Sequence, residues 1–462
     1  MEKHSLNRLT IVSGLALSML AGNAIAKLSE EEAARLGKEL TCIGAEAGAN
    51  ADGSIPAYSG KWLGKPPHID YKPHVGQHPV DPYPDDQPLF QITAANMAQY
   101  ADKLSDGQKA LLNKYPDSFR IPVYQSRRDF RYPDWVCDIS KKNALNAELT
   151  DGGLGFTGAV KGGILFPIPK QPMELLANMN FPVRAFSEVV TRDIADVNSS
   201  GQITWGRQEN NNLSGYNHPD MVGQTFEGLM AYSYSATLLP ERDRGAKTVS
   251  QEPVNFAIAK RLAWQYDPGT RRVRQLPTYG YDNPMGGTGG KMTIDQDRLM
   301  NGDPSRYEWK MLGKREMFIP ANTYRLHDNT VKYADLLTPN HANPDYMRYE
   351  LRRVWVLEGT LKPEYRHLFG KRVMFIDEDN WQASMGDYYD TRGALWQHGF
   401  LNHYYGYDMN SWHAGSSFYH DLNSGSYVAF NLFQERKQGP LLNSDTLTPE
   451  LFTPAALRSA GN

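Results

Sequence analysis

Residues 371–405, KRVMFIDEDNWQASMGDYYDTRGALWQHGFLNHYY, read as three strands separated by two short turns. The segments 372–376, 381–388 and 394–404 are rich in aromatic and β-branched residues, which suit a pleated, half-buried surface. Asp377-Glu378-Asp379-Asn380 and Asp390-Thr391-Arg392-Gly393 supply the side chains that favour tight turns. Strands joined this closely pair as antiparallel neighbours. The same rhythm extends outward, to 232–239, 256–266, 272–276, 307–318 and 349–362 on one side and 417–420 and 427–433 on the other. The expected fold is α+β and β-rich: a large curved antiparallel sheet, largely a meander, with helices packed against its concave side.

Alternation along these strands describes the faces of the sheet. Leu262, Trp264 and Tyr266 share one face of their strand, as do Trp355 and Leu357, and Tyr307, Trp309 and Met311. The opposite positions are often apolar too: Val354 and Val356, Met374 and Ile376. Strands apolar on both faces are covered on both. Amino-terminal helices supply one layer. The other is a loop layer or a lipid-sized cavity.

The region before the sheet has a different texture. Ser29-Glu30-Glu31-Glu32 is a capping box that opens a helix expected to run to about Leu40. Residues 44–88 carry eight prolines and several glycines, so they hold neither a long helix nor a central strand and must lie extended over a surface built elsewhere. Helices are expected from Thr93 through Leu104, from Ser105 (with Gln108 completing a capping box) to before Pro116, and briefly from Pro172. The boundaries are therefore a wrapping region over 27–200, the sheet over 201–440 and a tail over 441–462, with 27–440 as one structural unit.

Residues 1–26 have the three parts of a cleavable export signal: a basic start with Lys3 and Arg8, an apolar stretch over 9–20, and small residues ending in Ala24-Ile25-Ala26. The apolar stretch is shorter than the ~20 residues that span a bilayer. Cleavage after Ala26 would leave a soluble periplasmic chain, with no Cys near the cut for lipid attachment. The net charge of −3 and the absence of a basic block argue against a nucleic-acid partner. The two cysteines, Cys42 and Cys137, are a disulfide candidate in an oxidising compartment, the alternative being two unpaired buried thiols.

Signatures of catalysis are sparse. There is no Gly-x-Ser-x-Gly elbow. Gly286-Gly287-Thr288-Gly289-Gly290-Lys291 superficially resembles a phosphate loop, but Met follows Lys291 where Ser or Thr is needed, so it reads as a flexible connector. His398, His403, His413 and His420 lie among aromatic residues at spacings that match no zinc-ligand rhythm, and read as packed, hydrogen-bonded histidines. Asp377, Glu378 and Asp379 share one turn and read as solvated turn carboxylates rather than a catalytic pair. No catalytic residue, metal or cofactor is assigned. The strongest compositional signal is aromatic, with 26 Tyr, 17 Phe and 9 Trp. Large rings on a curved sheet either fill a big core or line an apolar pocket. The candidate ligand-lining residues are Trp264, Trp309, Trp355, Phe375, Trp381 and Trp396.

Several motifs in order carry a resemblance. They are Leu40-Thr41-Cys42-Ile43-Gly44-Ala45 through Asn50-Ala51-Asp52-Gly53-Ser54-Ile55-Pro56, then Pro88-Leu89-Phe90-Gln91-Ile92-Thr93-Ala94-Ala95-Asn96 and Phe166-Pro167-Ile168-Pro169. Gly313-Lys314-Arg315-Glu316-Met317-Phe318-Ile319-Pro320-Ala321-Asn322 follows, then 371–381 and Tyr389-Asp390-Thr391-Arg392-Gly393. Together they resemble the proteobacterial family called domain of unknown function 1329. Cys42 stands where that family usually has Pro, and Ala321 where Tyr is usual. The resemblance implies a fold similar to LolA and LolB: an antiparallel half-barrel closed by helices around an apolar cavity. It also implies an outer-membrane β-barrel partner and an RND-type inner-membrane exporter, with no agreed catalytic residues. Three functions are therefore in view: a periplasmic carrier of a hydrophobic, lipid-like molecule, an envelope hydrolase of lipidic or ester substrates, and a structural adaptor for an outer-membrane barrel.

Overall fold

The computed structural model describes residues 27–459, so the export signal read over residues 1–26 lies outside the described residues. Two strands, β1 (Phe90–Ile92) and β2 (Ile121–Tyr124), come from the wrapping region, and β3 (Glu148–Thr150) pairs with β4 (Gly155–Thr157) in a separate hairpin. A first meander comprises β5 (Ser187–Val197), β6 (Ile203–Leu213), β7 (Leu229–Leu239), β8 (Lys247–Pro253), β9 (Leu262–Asp267) and β10 (Arg272–Gln275). A second comprises β11 (Tyr307–Pro320), β12 (Tyr349–Leu361), β13 (Lys371–Asp377), β14 (Ala383–Tyr389), β15 (Leu395–Gly406), β16 (Ser411–Asp421) and β17 (Tyr427–Leu432). A short β18 (Leu441–Leu442) pairs with β5. The helices are α1 (Glu30–Ala33), α2 (Asp106–Lys114), α3 (Asp134–Asn146), α4 (Pro172–Asn180), α5 (Tyr333–Leu336) and α6 (Pro454–Ser459).

The two meanders join where β17 pairs with β5, giving one 16-stranded sheet. Its outer strands β10 and β11 do not pair with each other, so the sheet is open. Bulges interrupt the register at Met311/Gly313, Phe375/Ile376, Tyr388/Tyr389 and Leu401/His403, and each bends and twists its strand. One pairing departs from the antiparallel expectation. β2 lies parallel to β12, with Val123 opposite Tyr349, because it arrives from the distant wrapping region rather than through a hairpin.

Other details differ from the sequence reading. The central strand β5 precedes residue 200, and β5, β6 and β8 were not foreseen, because polar residues on one face hide their alternation. Residues 256–261 form a loop rather than the start of β9. The Ser29 capping box forms, but α1 ends at Ala33 and a turn follows, with Gly37 left-handed at φ 79°. Thr93 caps no α-helix: its amide donates to Asn96 Oδ1 at 2.8 Å, and 97–103 is a 3₁₀ turn. The capping box of Ser105 and Gln108 is present and opens α2.

Both faces of the second meander are covered. Val356, Val373, Phe375, Met385, Phe400 and Phe418 pack with Leu111 and Leu112 of α2 on one face. Leu357, Met374, Ile376, Leu401 and Val428 pack on the other with Val136 of α3 and with Leu175 and Met179 of α4. Residues 292–300 extend that second layer through Met292, Leu299 and Met300.

The proline-rich segment is a strap clamped onto this body by buried charge. The carboxylates read as a solvated turn are in fact buried, with Asp377, Glu378 and Asp379 each 2 % exposed. Arg128 grips Asp379 with two bonds of 2.8 Å and donates to the Glu46 and Pro56 carbonyls of the strap at 2.7 and 3.1 Å. Arg352 lies 3.2 Å from Asp379 and 3.6 Å from Asp377. Lys314 bridges Glu46 of the strap and Glu378 at 2.9 and 2.6 Å. The Trp381 indole donates to the Ile43 carbonyl at 2.8 Å. A carboxylate of this kind is tolerated in a core only when paired and fully hydrogen-bonded; Arg128 reaches Asp379 from a distant part of the chain, and Arg352 from the neighbouring strand β12.

Two further contacts fasten the start of the strap. Cys42 and Cys137 form a disulfide with a Cα–Cα distance of 4.9 Å, joining the strap to α3. Gly44 adopts φ 99°, and a β-carbon there would sit 1.8 Å from the Pro167 carbonyl oxygen. Only glycine permits that close approach, so the motifs around Gly44 and Pro167 meet in space.

Candidate ligand cleft

On the first meander the face shared with α4 is polar. Cross-strand partners run in rows: Arg192 on β5 opposite Gln208 on β6 and then Thr237 on β7; Asn210, Ser235, Thr248 and Gln265 across β6 to β9; Asn212, Ser233 and Ser250 beside them. Because side chains alternate faces, each strand contributes every second residue to this surface. The surface forms the wall of a cleft of about 370 Å³. Met179, Met230, Met285, Met300, Leu276 and Leu401 line the same cleft, so thioether and aliphatic groups adjoin a wall that is mostly polar and partly charged. Met285 and Gly286 belong to the glycine-rich segment, which is no flexible connector. Thr288 is fully buried and bonds the Met285 carbonyl at 2.8 Å, Lys291 pairs with Asp196, and Gln208 Nε2 donates to the Gly286 carbonyl at 3.3 Å.

The electrostatics of the cleft are uneven. Arg261 is neutralised by Glu252, which accepts from its Nη2 at 2.8 Å and pairs with its Nε. Burial raises the Asp297 carboxyl above its ordinary value despite the nearby Arg192, and raises Glu188 in the same way. Arg192 stacks 4.3 Å over the Phe430 ring and reaches Gln208 Oε1 at 3.4 Å, while Arg184 lies 5.6 Å from the Tyr216 ring. Neither has a carboxylate within ion-pair distance among the described residues.

The six aromatic residues singled out by sequence do not line this cleft. Trp264 is on the opposite face of β9, in a small cluster with Val249 and Leu457 of α6. Phe375 lies on the α2 side of the sheet. Trp309, Trp355, Trp381 and Trp396 share the α3 and α4 side, where Trp355 stacks on Trp381 at 6.4 Å and Trp309 donates to the Pro304 carbonyl at 3.0 Å. The rings fill the body beside the cleft. The cleft residues themselves carried a signal in the sequence: polar side chains at every second position in 208–212, 233–237 and 248–250.

The late histidines are core residues. His398 and His420 face each other across β15 and β16. His398 Nδ1 contacts Asp387 Oδ1 at 2.7 Å, and Asp387 also accepts from the Gly107 amide at 3.1 Å at the start of α2. This Asp–His pair is sealed, at 1 % exposure, under that helix end. No three His, Cys, Asp or Glu side chains are grouped to hold a metal ion among the described residues. His403 and His420 have no hydrogen-bond partner on either ring nitrogen, unlike the bonded histidines expected. His327, by contrast, accepts from the Ser416 amide and bonds the Thr323 carbonyl, both at 2.8 Å, which fixes a neutral ring.

Burial lowers His327 and His403 to about 3 and His413 to about 4. A histidine depressed in the folded chain stays neutral there while the unfolded chain takes up a proton near pH 6.5. Its contribution to stability is therefore present above that pH and is lost as pH falls toward 3–4. Replacing His403 by Phe removes one such penalty. The variant should gain about 2–3 kcal/mol on the wild type between pH 7 and pH 4.5, measured as the difference in urea unfolding free energy. A pH-independent difference would show that His403 takes up its proton as readily in the folded chain as in the unfolded one.

The comparisons with known proteins bear on the chain as a whole. A protein-family profile described as a protein of unknown function, DUF1329, matches residues 91–458. The chain belongs to the DUF1329 family. An uncharacterized protein of Pseudomonas aeruginosa, PA3922, is 39% identical over 453 residues, covering 97% of each chain. Among solved structures, a putative outer membrane lipoprotein-sorting protein domain from Vibrio parahaemolyticus is similar at 14% identity and a TM-score of 0.40, over 59% of this chain and 91% of that one. A DUF1329 family protein from Desulfovibrio piger gives 13% and 0.40, over 59% and 92%. A LolA superfamily protein from Nitrosomonas europaea gives 13% and 0.35, over 62% and 98%. No helix among the described residues of this DUF1329 chain is long and apolar enough to cross a membrane.

Proposed function

We propose that this DUF1329 chain is a periplasmic carrier that binds a hydrophobic, lipid-like molecule without covalent chemistry and passes it between envelope components. The supporting observation is the divided wall of the cleft, where Met179, Met230, Met285 and Met300 adjoin rows of amides and hydroxyls. Methionine is unbranched and polarizable, so a surface built from it adapts to alkyl chains of different shape. The polar rows offer hydrogen bonds to the other end of such a molecule, as in ligand sites where a few polar groups fix orientation. In this reading the leader over residues 1–26 directs export and is cut near Ala26, and the carrier exchanges its ligand with an outer-membrane β-barrel and an RND-type exporter.

Native mass spectrometry of the protein released gently from the periplasm tests this. The expected result is a bound species of lipid mass that disappears on solvent extraction. A protein that emerges empty and also fails to bind a fluorescent fatty-acid analogue would overturn the carrier reading.

A further inference from the structure

We infer that the cleft selects an amphiphile with an anionic head, a carboxylate or a phosphate monoester, and that Arg184 and Arg192 are the head-binding residues. The inference rests on the carrier reading and adds the chemical class of the ligand. Three donors in the cleft wall carry it. Arg184 Nε, Arg192 Nε and Asn210 Nδ2 are all buried from solvent and have no hydrogen-bond partner. Asn210 is only 2 % exposed. Buried donors are almost always satisfied, and one left unmade costs free energy. Three unmade donors lining one cleft describe a place for an acceptor.

Charge points the same way. An arginine stays protonated at any physiological pH, and neither Arg184 nor Arg192 has a carboxylate within ion-pair distance among the described residues. Arg261, another cation of the cleft wall, is matched by Glu252. The carboxyls closest in influence to Arg192 are Asp297 and Glu188, and burial raises both above their ordinary range, so they oppose an incoming anion less than two exposed carboxylates would. Phe430 lies beneath the Arg192 guanidinium and Tyr216 beside that of Arg184, and the Nε of each arginine is left without an acceptor. A planar guanidinium edge matches carboxylate and phosphate geometry.

Size sets the rest of the ligand. About 370 Å³ holds roughly a dozen water-sized groups, enough for a small head and part of one alkyl chain. The methionines lie in the same wall, so a chain leaving the arginines would run over them.

The test is isothermal titration calorimetry of the delipidated full-length mature protein with four ten-carbon probes: decanoate, decyl phosphate, 1-decanol and decyltrimethylammonium. At least one of the two anions should bind 10-fold or more tighter than decanol and decyltrimethylammonium. Comparing the two anions separates a carboxylate from a phosphate head. Arg184→Gln with Arg192→Gln should bring the anions to the level of decanol while leaving decanol unchanged, and Arg192→Lys should keep part of the preference. Equal binding of decanol and both anions by the wild type would overturn the head-group assignment while leaving the carrier reading standing. Binding of none of the four probes would overturn both. The wild-type comparison decides the matter even if a variant fails to fold.

Discussion

Replacing Arg128 by Met should lower the unfolding free energy by about 3–5 kcal/mol and release residues 44–88 to limited proteolysis. The size follows from what is left behind. Arg128 makes a two-bond clasp on Asp379 and donates to two strap carbonyls, with its side chain 1 % exposed. Removing it strands a buried carboxylate whose remaining ion-pair partner is Arg352 at 3.2 Å, and it leaves the Glu46 and Pro56 carbonyls without their donor. Burial disfavours the ionised form of Asp379, but Arg128 and Arg352 together outweigh it and hold the group below the ordinary carboxylate range. Its neighbours behave oppositely: burial raises Asp377 to about 6 and Glu378 to about 7. Carboxyls raised in the folded chain contribute stability that is fully present below about pH 4 and is lost as pH rises through 6–7. The variant should therefore be compared with the wild type at one pH, by urea unfolding. A loss under 1 kcal/mol would mean the strap is held by other contacts.

The second large effect comes from the disulfide. Changing Cys42 and Cys137 together to Ser should cost about 4–5 kcal/mol, because the bridge spans a long loop whose closure restricts the unfolded chain. The separation is 95 residues, and the loop includes the whole proline-rich strap. Strap and bridge therefore support each other: the bridge fixes the residues just before the segment, and the charge clasp fixes it at Glu46 and Pro56. The midpoint of urea unfolding with and without reductant reads this directly, and the double variant should be insensitive to reductant. A wild-type midpoint unmoved by complete reduction would contradict it.

The sequence made some of this visible for clear physical reasons. Residues 371–405 combine β-branched and aromatic alternation with turn residues, two signals that agree, and they fold as β13, β14 and β15. The Ser105 and Gln108 box is local, and it forms. Burial of Asp377, Glu378 and Asp379 was hidden because Arg128 and Lys314 come from other parts of the chain, and a cluster of acids beside a turn ordinarily faces water. The cleft was hidden for a related reason. Its strands β5, β6 and β8 put polar residues where a core strand has apolar ones, so a search for apolar alternation passes over Gln208, Asn210 and Asn212. The same period-2 pattern, read for polar side chains, marks the wall. The aromatic residues drew attention through size, yet four of them pack the body on the α3 and α4 side of the sheet and Trp264 and Phe375 lie on the other.

The most direct measurement is methyl NMR of the mature protein labelled at the methionine methyl groups, titrated with an alkyl amphiphile such as decanoate. The methyls of Met179, Met230, Met285 and Met300, which line the cleft, should shift and saturate together. Those of Met317, Met374 and Met385, enclosed in the packed sheet, should stay in place. Saturable shifts confined to the enclosed methionines, or no saturable shift in the cleft methionines, would contradict the account.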